Sequence, residues 1–411
     1  MKRIDLIRHS ERSGCEFLRE GDVADPREQL IQAFGPAPAE TWEVAAPGRV
    51  NLIGEHIDYH GLPVLPIALR RRIRVAFRAR TDHRIRAVST AQYGLREFEW
   101  TPHLAPTAPG DWENYLRAAA EAVGRKWGAG AGVDAAVVSD LPPAAGLASS
   151  SALIVAFTLA LLQANHRRAS FEELMEILPE GEQFVGTRGG GMDHAASLAS
   201  REGCASLIEF EPLAVRPIPV PPDWRFLVAH SLQTAEKSGA ARDEYNGRRA
   251  AGSAALSRLG FVSYRAAIAE PASAGKLPPG LERDSFLHVT SEALRVWAAV
   301  EAMEQDDAGA FGRLLLESHA SLRDRLRVSS PALDHLVETA VESGALGARL
   351  TGAGLGGCAV VFSKQPNLAA VRRGLIARYY AGHPNFDPHQ HLIDAQPGPG
   401  ALHALKSPVQ Q

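Results

Sequence analysis

One short stretch of the chain combines the side chains that binding and acid–base chemistry require. It holds one cation, one imidazole and two carboxylates: Arg49, His56, Glu55 and Asp58. The residues before the first carboxylate have strand character, and a glycine at the end of that strand permits a turn that would present the polar groups. Buried charges are costly unless they are paired, so a purely structural cluster would need counter-charges of its own. The stretch therefore predicts a site for a polar small molecule with many hydroxyl groups.

A second set of candidate residues forms a loop that leads into an apolar helix. Its members follow two prolines: Gly146, Leu147, Ala148, Ser149, Ser150 and Ser151. Backbone N–H groups at a helix N-terminus attract anions, and a serine hydroxyl can ligate Mg²⁺ beside a phosphate. Serine is also a preferred N-cap, so simple capping is the alternative explanation, and the lysine of a Walker motif is absent. The loop predicts either a phosphate site or a capped helix.

Glycine-rich segments occur at two further places. The later one contains Gly354 and Gly356 among four glycines within six residues, which is more than one turn requires and permits close approach of a ligand. A dinucleotide-binding loop would open a helix, whereas the apolar run after these glycines predicts a strand. The earlier segment places Gly190 shortly before Asp193, and Glu182 precedes both on a predicted helix. An aspartate that opens a helix is usually an N-cap, so both acids need support from the other motifs.

Hydrophobic periodicity predicts the elements that position these residues. Helices are expected over 111–127, 152–162, 171–185, 286–304, 308–326 and 331–343, and strands over 73–79, 133–138, 226–229 and 359–362. The helix over 152–162 is apolar nearly all round and is therefore expected in the core. The strand over 73–79 alternates apolar residues with arginines, which we interpret as a solvated sheet face paired with Glu97 and Glu99 rather than a nucleic-acid-binding stripe. The tail after Pro384 is rich in proline, glycine and histidine and is expected to run over the surface.

The composition is that of an ordinary globular protein. The 411 residues suffice for two or three domains, 45% are hydrophobic, and the net charge of −3 gives no reason to expect nucleic acid or an anionic membrane as a partner. Cys15, Cys204 and Cys358 are widely spaced, which predicts free thiols in a reducing compartment. The chain has no apolar stretch of about 18 residues and no hydrophobic signal core, so a cytoplasmic location is expected. Five prolines between Pro212 and Pro222 indicate a nearby domain boundary.

Three of these segments resemble the motifs of a kinase family. The stretch over 48–59 resembles the galactokinase signature. The serine loop and the segment over 350–358 resemble the second and third motifs of the GHMP family of small-molecule kinases. The motifs occur in the family's order, and the resemblance extends from about Phe34 to Phe362. The likeness is greatest to the subgroup that contains plant and fungal galactokinases and N-acetylgalactosamine kinase.

The resemblance implies an α+β fold with two domains and an active site between them. In this GHMP kinase fold the N-terminal domain is ribosomal protein S5 domain 2-like and the C-terminal domain is ferredoxin-like. We therefore expect an N-terminal extension over 1–34, an N-terminal domain over 35–205 with the sugar and ATP phosphate sites, and a C-terminal domain over 206–411. The implied reaction is ATP-dependent phosphorylation of the anomeric hydroxyl of galactose, which yields galactose 1-phosphate and ADP.

The resemblance also assigns roles to individual residues. Asp193 would take or orient the proton of the anomeric hydroxyl, and Arg49 would stabilise both that aspartate and the transferring phosphoryl group. Sugar contacts would come from Arg49, Glu55, His56, Asp58, Gly190, Asp193 and Tyr245. The ATP phosphates would contact Gly146, Leu147, Ala148, Ser149, Ser150, Ser151, Gly354 and Gly356. Mg²⁺ would be bound by Ser150 and Glu182. Departures from the family pattern occur at Ala148, His194 and His60, and the two histidines lie next to the expected sugar site.

Two alternatives to galactose phosphorylation stay open. An N-acetylgalactosamine kinase would differ in the room it leaves at the second carbon of the sugar, which the sequence does not reveal, although Tyr245 favours galactose. A catalytically silent sugar and ATP sensor would lack residues of the serine loop, whereas Ser149, Ser150 and Ser151 are present. For the kinase, the expected partners are ATP, Mg²⁺ and a small sugar, without nucleic acid or membrane, and the protein is expected to be a monomer.

Overall fold

The computed structural model describes residues 25–36, 40–90, 92–142, 145–186, 189–233 and 240–404. The strands in this part of the chain are β1 (Trp42–Asn51), β2 (Pro66–Ala79), β3 (Arg84–Val88), β4 (Leu95–Glu99), β5 (Val133–Ser139), β6 (Cys204–Phe210), β7 (Leu213–Pro219), β8 (Trp224–His230), β9 (Gly347–Thr351), β10 (Cys358–Lys364) and β11 (Leu392–Asp394). The helices are α1 (Pro26–Phe34), α2 (Glu113–Trp127), α3 (Ser149–Ala164), α4 (Phe171–Phe184), α5 (Met192–Ala199), α6 (Ala240–Arg258), α7 (Tyr264–Ala267), α8 (Leu281–Glu304), α9 (Ala308–Ser321), α10 (Pro331–Glu342), α11 (Gln365–Arg378), α12 (Pro388–His391) and α13 (Ala401–Ala404).

The first sheet has the strand order β1-β2-β5-β3-β4. Its neighbouring strands are antiparallel except β3 and β5, which are parallel. Side chains alternate along a strand, so β2 places Val75 and Phe77 in the main core and Ala76 on the opposite face. Helix α3 packs on β1 and β2 and is buried along almost its whole length, as its sequence predicts. Helix α1 covers the opposite face through Leu30.

The arginines of β2 pair with acids other than the expected ones. Arg78 of β2 and Arg80, which directly follows the strand, both bond to Asp134 of β5, at distances of 3.1 Å and 2.9 Å. Glu97 instead pairs with Arg84 of the neighbouring β3. The prediction named the wrong partners because β5 adjoins β2 in the sheet, whereas β4 lies at the far edge, and the strand order is not visible in the sequence.

The hairpin of β6 and β7 follows the first sheet and precedes the second. Ile208 of β6 forms a β-bridge with Val64, so the hairpin is attached to the first part of the chain. The expected boundary between residues 205 and 206 therefore falls inside a strand, and the chain passes to the second sheet only after β7. Residues 26–34 form α1 on the first sheet, which differs from the expected separate extension. The rest of that extension, with Cys15, lies outside the described residues.

The second sheet has the order β11-β8-β10-β9 and is antiparallel throughout. Phe226 and Phe362 on one face pack with Phe311 of α9. Leu227 and Val361 on the other face share a core with residues of α10 and α11. The helices expected over 286–304, 308–326 and 331–343 are α8, α9 with a π-helical turn over Leu322–Leu326, and α10. Together the two parts confirm the predicted α+β fold.

The tail after Pro384 is not a surface segment, contrary to the prediction. Strand β11 pairs with β8 at the edge of the second sheet, and Leu392, Ile393 and Ala401 are buried. A three-residue strand within a proline- and histidine-rich segment has too little periodicity to be recognised from its sequence. In the part of the chain that the structure describes, no helix is both long and apolar enough to cross a membrane.

Candidate active site

Two glycine-containing loops from different parts of the chain meet where β1 ends. Gly146 precedes α3, and Gly352 follows β9. Both have left-handed backbone conformations, with φ of 76° and 86°. A Cβ atom on Gly352 would lie 3.2 Å from the carbonyl oxygen of Gly146, which is closer than an ordinary van der Waals contact. The close approach of the two loops therefore favours glycine at position 352. The candidate site lies beside this contact between the two loops.

Arg49 and Asp193 form the charged centre of the site. The Arg49 Nε donates to Asp193 Oδ1 at 2.7 Å and its Nη2 donates to Oδ2 at 2.9 Å, which is a bidentate ion pair. The third donor, Nη1, bonds to the Gly146 carbonyl at 2.7 Å and so ties the pair to the serine loop. Burial lowers the pKa of Arg49, but the carboxylates around it outweigh that effect and raise it overall. The Asp193 carboxylate is therefore held beside a permanent positive charge at the N-terminus of α5.

Asp58 lies close to this pair and is held by backbone groups. The Gly190 N–H donates to Asp58 Oδ2 at 3.1 Å. A side chain on Gly190 would collide with the backbone of Asp58, so only glycine permits this approach. Burial and the nearby Asp193 charge raise the pKa of Asp58 to about 6. The carboxylates of Asp58 and Asp193 thus lie near enough to each other to interact electrostatically, and both are groups that can accept from a hydroxyl group.

His56 is neutral and has a defined tautomer. Its Nε2 lies 3.2 Å from the Ala353 carbonyl oxygen, which can only accept, so Nε2 carries the proton. Its Nδ1 then accepts from the Tyr59 hydroxyl at 2.9 Å. Burial lowers the pKa of His56 to about 3. The Tyr245 ring lies 5.2 Å from the imidazole, so the predicted sugar residues His56, Asp58, Gly190 and Tyr245 are brought together with Asp193.

The serine loop begins α3 without a side-chain cap. Ala148 occupies the N-cap position in a left-handed conformation with φ of 57°, and no side-chain cap hydrogen bond is formed there. The capping explanation is therefore not supported. Ser151 is fully buried, and its hydroxyl donates to Glu182 and lies 3.5 Å from Asp193 Oδ2. The serine in contact with Glu182 is thus Ser151, whereas the sequence pointed to Ser150.

Glu55 is surrounded by protein donors. Its Oε2 accepts from Asn51 Nδ2 at 2.6 Å and from Arg349 Nη2 at 2.9 Å, and its Oε1 accepts from the Gly352 N–H at 2.6 Å. Burial raises the pKa of Glu55, although the Arg349 charge opposes that shift. Sequence reasoning missed Arg349 altogether. The available signal was a lone arginine within the apolar run that leads into the third motif.

Family sequence models match most of the described elements. The model of the "GHMP kinases N terminal domain" matches residues 114–201, and that of the "GHMP kinases C terminal" matches residues 299–381. The "Galactokinase galactose-binding signature" matches residues 28–79, which include most of α1, all of β1 and the first motif.

Curated relatives and solved structures give the same result. The chain is 36% identical over 371 residues to a galactokinase of Roseiflexus sp., covering 87% of this chain and 92% of the relative. It is 35% identical over 356 residues to the galactokinase of Streptomyces coelicolor, covering 85% of this chain and 90% of that relative. The structure of Lactococcus lactis galactokinase complexed with galactose superimposes with a TM-score of 0.81 at 27% identity, covering 91% of this chain and 97% of that one. The fold is shared with a mevalonate kinase of L. major, which superimposes with a TM-score of 0.60 at 20% identity. The superposition covers 88% of this chain and 98% of that one.

Proposed function

The chain belongs to the galactokinase family, and we propose that the site described above transfers the γ-phosphoryl group of ATP to the anomeric hydroxyl of galactose. The observation that carries this proposal is the bidentate Arg49–Asp193 pair. The pair is bonded to the Gly146 carbonyl of the serine loop and lies near Asp58, so a carboxylate, a cation and a second acid that can accept from hydroxyl groups are close together. Galactose 1-phosphate and ADP are the products.

Asp193 acts on the hydroxyl that attacks the phosphorus. Its carboxylate accepts the proton of the anomeric hydroxyl, or at least orients that hydroxyl, while the new oxygen–phosphorus bond forms and ADP leaves. Arg49 keeps Asp193 ionised before the reaction and offers positive charge to the phosphoryl group as it transfers. Its bond to the Gly146 carbonyl supports this dual role because it fixes the guanidinium between the base and the phosphate loop.

The sugar is held by the residues around Asp58. At neutral pH Asp58 is mostly ionised and accepts from sugar hydroxyls. The ring nitrogens of neutral His56 bond to Tyr59 and Ala353, and the predicted contact of His56 with the sugar remains part of the proposal. The Tyr245 ring packs beside His56 and Tyr59 and supplies an apolar surface for the pyranose. Glu55 is buried and bonded to protein donors, and its predicted contact with the sugar remains part of the proposal.

The phosphates of ATP lie at the first turn of α3. With no side chain capping this helix among the described residues, its first N–H groups are available to oxygen anions, as are the hydroxyls of Ser149 and Ser150. Gly354 and Gly356 bring the backbone of the second part of the chain against the same phosphates. This arrangement is supported by the contact between Gly146 and Gly352.

The donor set fits a magnesium ion. Glu182 is buried and faces the Ser151 hydroxyl, so the groups beside Asp193 are oxygen donors, which Mg²⁺ prefers. Mg²⁺ usually takes only one or two carboxylates and completes its shell with water and substrate phosphates. Glu182 with Ser151 or Ser150 would hold it. When bound, it would supply positive charge that neutralises the charge developing on the phosphoryl group during transfer.

One assay tests the proposal directly. The protein is incubated with ATP, Mg²⁺ and galactose, N-acetylgalactosamine, glucose or mannose, and ADP release is recorded for each sugar. We expect turnover with galactose, because the curated relatives are named galactokinases. Turnover with N-acetylgalactosamine alone would overturn the substrate, and no turnover with any sugar would overturn the kinase. We also propose that the monomer is active, so light scattering should give a mass near 44.1 kDa.

A further inference from the structure

We infer that Arg349 is a positioning residue for phosphoryl transfer, acting through Glu55. This inference rests on the proposed kinase function and deepens it. Arg349 lies on β9 in the second part of the chain, and Glu55 lies in the sugar motif after β1. Their ion pair joins the segment that binds the sugar to the glycine segment that contacts ATP.

The geometry of Arg349 is that of a clamp on the sugar motif. Its side chain is fully buried, and Nη2 donates to Glu55 Oε2 at 2.9 Å. Its Nη1 donates to the carbonyl oxygens of Asn51 and Leu52, at 3.1 Å and 3.0 Å. The planar guanidinium therefore fixes the backbone at the end of β1 and the first acid after it at the same time.

Glu55 passes this constraint on to the third motif. Its Oε1 accepts from the Gly352 N–H at 2.6 Å, so the carboxylate holds the start of the glycine segment against the sugar motif. Thr351 adds a second tie, because its hydroxyl accepts from the Asn51 N–H at 3.2 Å and donates to the Asn51 carbonyl at 3.1 Å. The carbonyl of Ala353, the residue after Gly352, accepts from His56 Nε2. The positions of the sugar and phosphate subsites thus depend on one buried network.

The network includes a feature that stability alone does not account for. The Nε of Arg349 is buried and has no hydrogen-bond partner in the described part of the chain. An unsatisfied buried N–H group costs free energy, and apolar residues of similar volume often replace buried ion pairs without loss of stability. A role in fixing the distance between the two subsites explains why a guanidinium occupies this position.

The test compares Arg349→Met with a matched variant elsewhere. Arg78→Met removes another buried arginine, which pairs with Asp134 on the first sheet away from the site. We expect both variants to lower the melting temperature. At a temperature where each is folded, Arg349→Met should lower kcat for galactose phosphorylation about tenfold or more and raise KM for ATP. Arg78→Met should leave kcat and both KM values within about twofold of the wild-type values.

A conservative variant and a binding measurement complete the experiment. Arg349→Lys keeps a positive charge near Glu55 but cannot reach both backbone carbonyls together, so its kcat should lie between those of Arg349→Met and the wild type. Wild-type values of kcat and KM for Arg349→Met, or for Arg349→Lys if the first variant does not fold, would overturn the inference. If the wild type itself proves inactive, the kinase proposal fails. The dissociation constants of galactose and ADP, measured by calorimetry, then test the positioning role of Arg349 separately. Values in Arg349→Met that equal those of the wild type would overturn that role.

Discussion

Asp58 in the site and Asp134 on the first sheet are both buried carboxylates, yet their environments shift their pKa values in opposite directions. Burial raises the pKa of Asp134, but hydrogen bonds from Arg86, Arg80 and Arg78 outweigh burial and lower it overall. No arginine of the described residues forms an ion pair with Asp58, although the nearby Arg49 charge interacts with it. Asp58 accepts from the backbone N–H groups of Gly190 and Tyr59, and burial with the Asp193 charge raises its pKa to about 6.

This difference distinguishes a structural acid, Asp134, from the proposed binding acid, Asp58. The Asp134 carboxylate is compensated by three cations, so nothing is gained when another donor approaches. The Asp58 carboxylate is buried beside a like charge, and a hydroxyl donor from a substrate would relieve that unfavourable arrangement. Incomplete compensation of this buried charge therefore supports the proposal that Asp58 contacts the sugar.

Asp193→Asn should have the largest effect. The amide retains the shape of the side chain but cannot accept the proton, so kcat for galactose phosphorylation should fall about 10³-fold or more, which corresponds to at least about 4 kcal/mol in the barrier. Asp134→Asn is the matched control, since it makes the same change at the structural acid and should leave kcat unchanged. ADP release measured on both folded variants checks this. More than a tenth of wild-type activity in Asp193→Asn would remove Asp193 from the proton step.

Asp134→Asn should instead reduce stability. Without the carboxylate, Arg78, Arg80 and Arg86 lose their common counter-charge, and the free energy of unfolding should fall by about 3 kcal/mol at pH 7. Because the pKa of Asp134 is lowered in the folded protein, its contribution is present above about pH 4 and is lost as the pH falls through the folded value. Urea unfolding at several pH values measures this. An equal loss at pH 3 and pH 7 would contradict the electrostatic explanation.

Asp58→Asn should have the opposite effect on stability. The folded protein raises the pKa of Asp58 from 3.8 to about 6, so ionisation of this group opposes folding as the pH rises through that range. A shift of this size corresponds to about 3 kcal/mol at most, and the buried amide offsets part of the gain. We expect the variant to be about 2 kcal/mol more stable than the wild type at pH 8 and no more stable at pH 4. Galactose binding should weaken at both pH values.

Urea unfolding and calorimetry with galactose check this prediction. A variant that is less stable than the wild type at pH 8 would show that Asp58 is compensated in the same way as Asp134. The contrast between a compensated and an incompletely compensated buried carboxylate would then be wrong.

Much of the fold was predictable because its signals are local. The apolar run that forms α3 and the strand character before Gly54 are visible within a few residues of sequence. The motifs likewise predicted that Arg49 and Asp193 belong to one site, and the structure brings them into contact. The partners of Glu55 and Asp134 were not predictable, because they depend on strand order and on side-chain contacts from β9 to the end of β1, which lie far apart in the chain.

The serine loop contains two adjacent serines, Ser150 and Ser151, whose predicted effects on magnesium binding are the smallest considered. Ser150 and Ser151 are adjacent, but at the start of a helix neighbouring side chains point in different directions, so only one of them is directed at Glu182. The sequence motif favours Ser150 as the magnesium ligand, whereas the contact with Glu182 belongs to the buried Ser151.

Ser151→Ala removes the hydroxyl that orients the Glu182 carboxylate, and a hydrogen bond to a charged group contributes about 1.5–3 kcal/mol. Because water can replace part of that interaction, we expect the Mg²⁺ concentration for half-maximal activity to rise by about fivefold to tenfold. Ser150→Ala should raise it less, since its hydroxyl is more exposed to solvent at the first turn of α3. Activity is measured against Mg²⁺ concentration at saturating galactose. A larger effect of Ser150→Ala would return the role of magnesium ligand to Ser150 and leave Ser151 as a packing residue between Glu182 and Asp193.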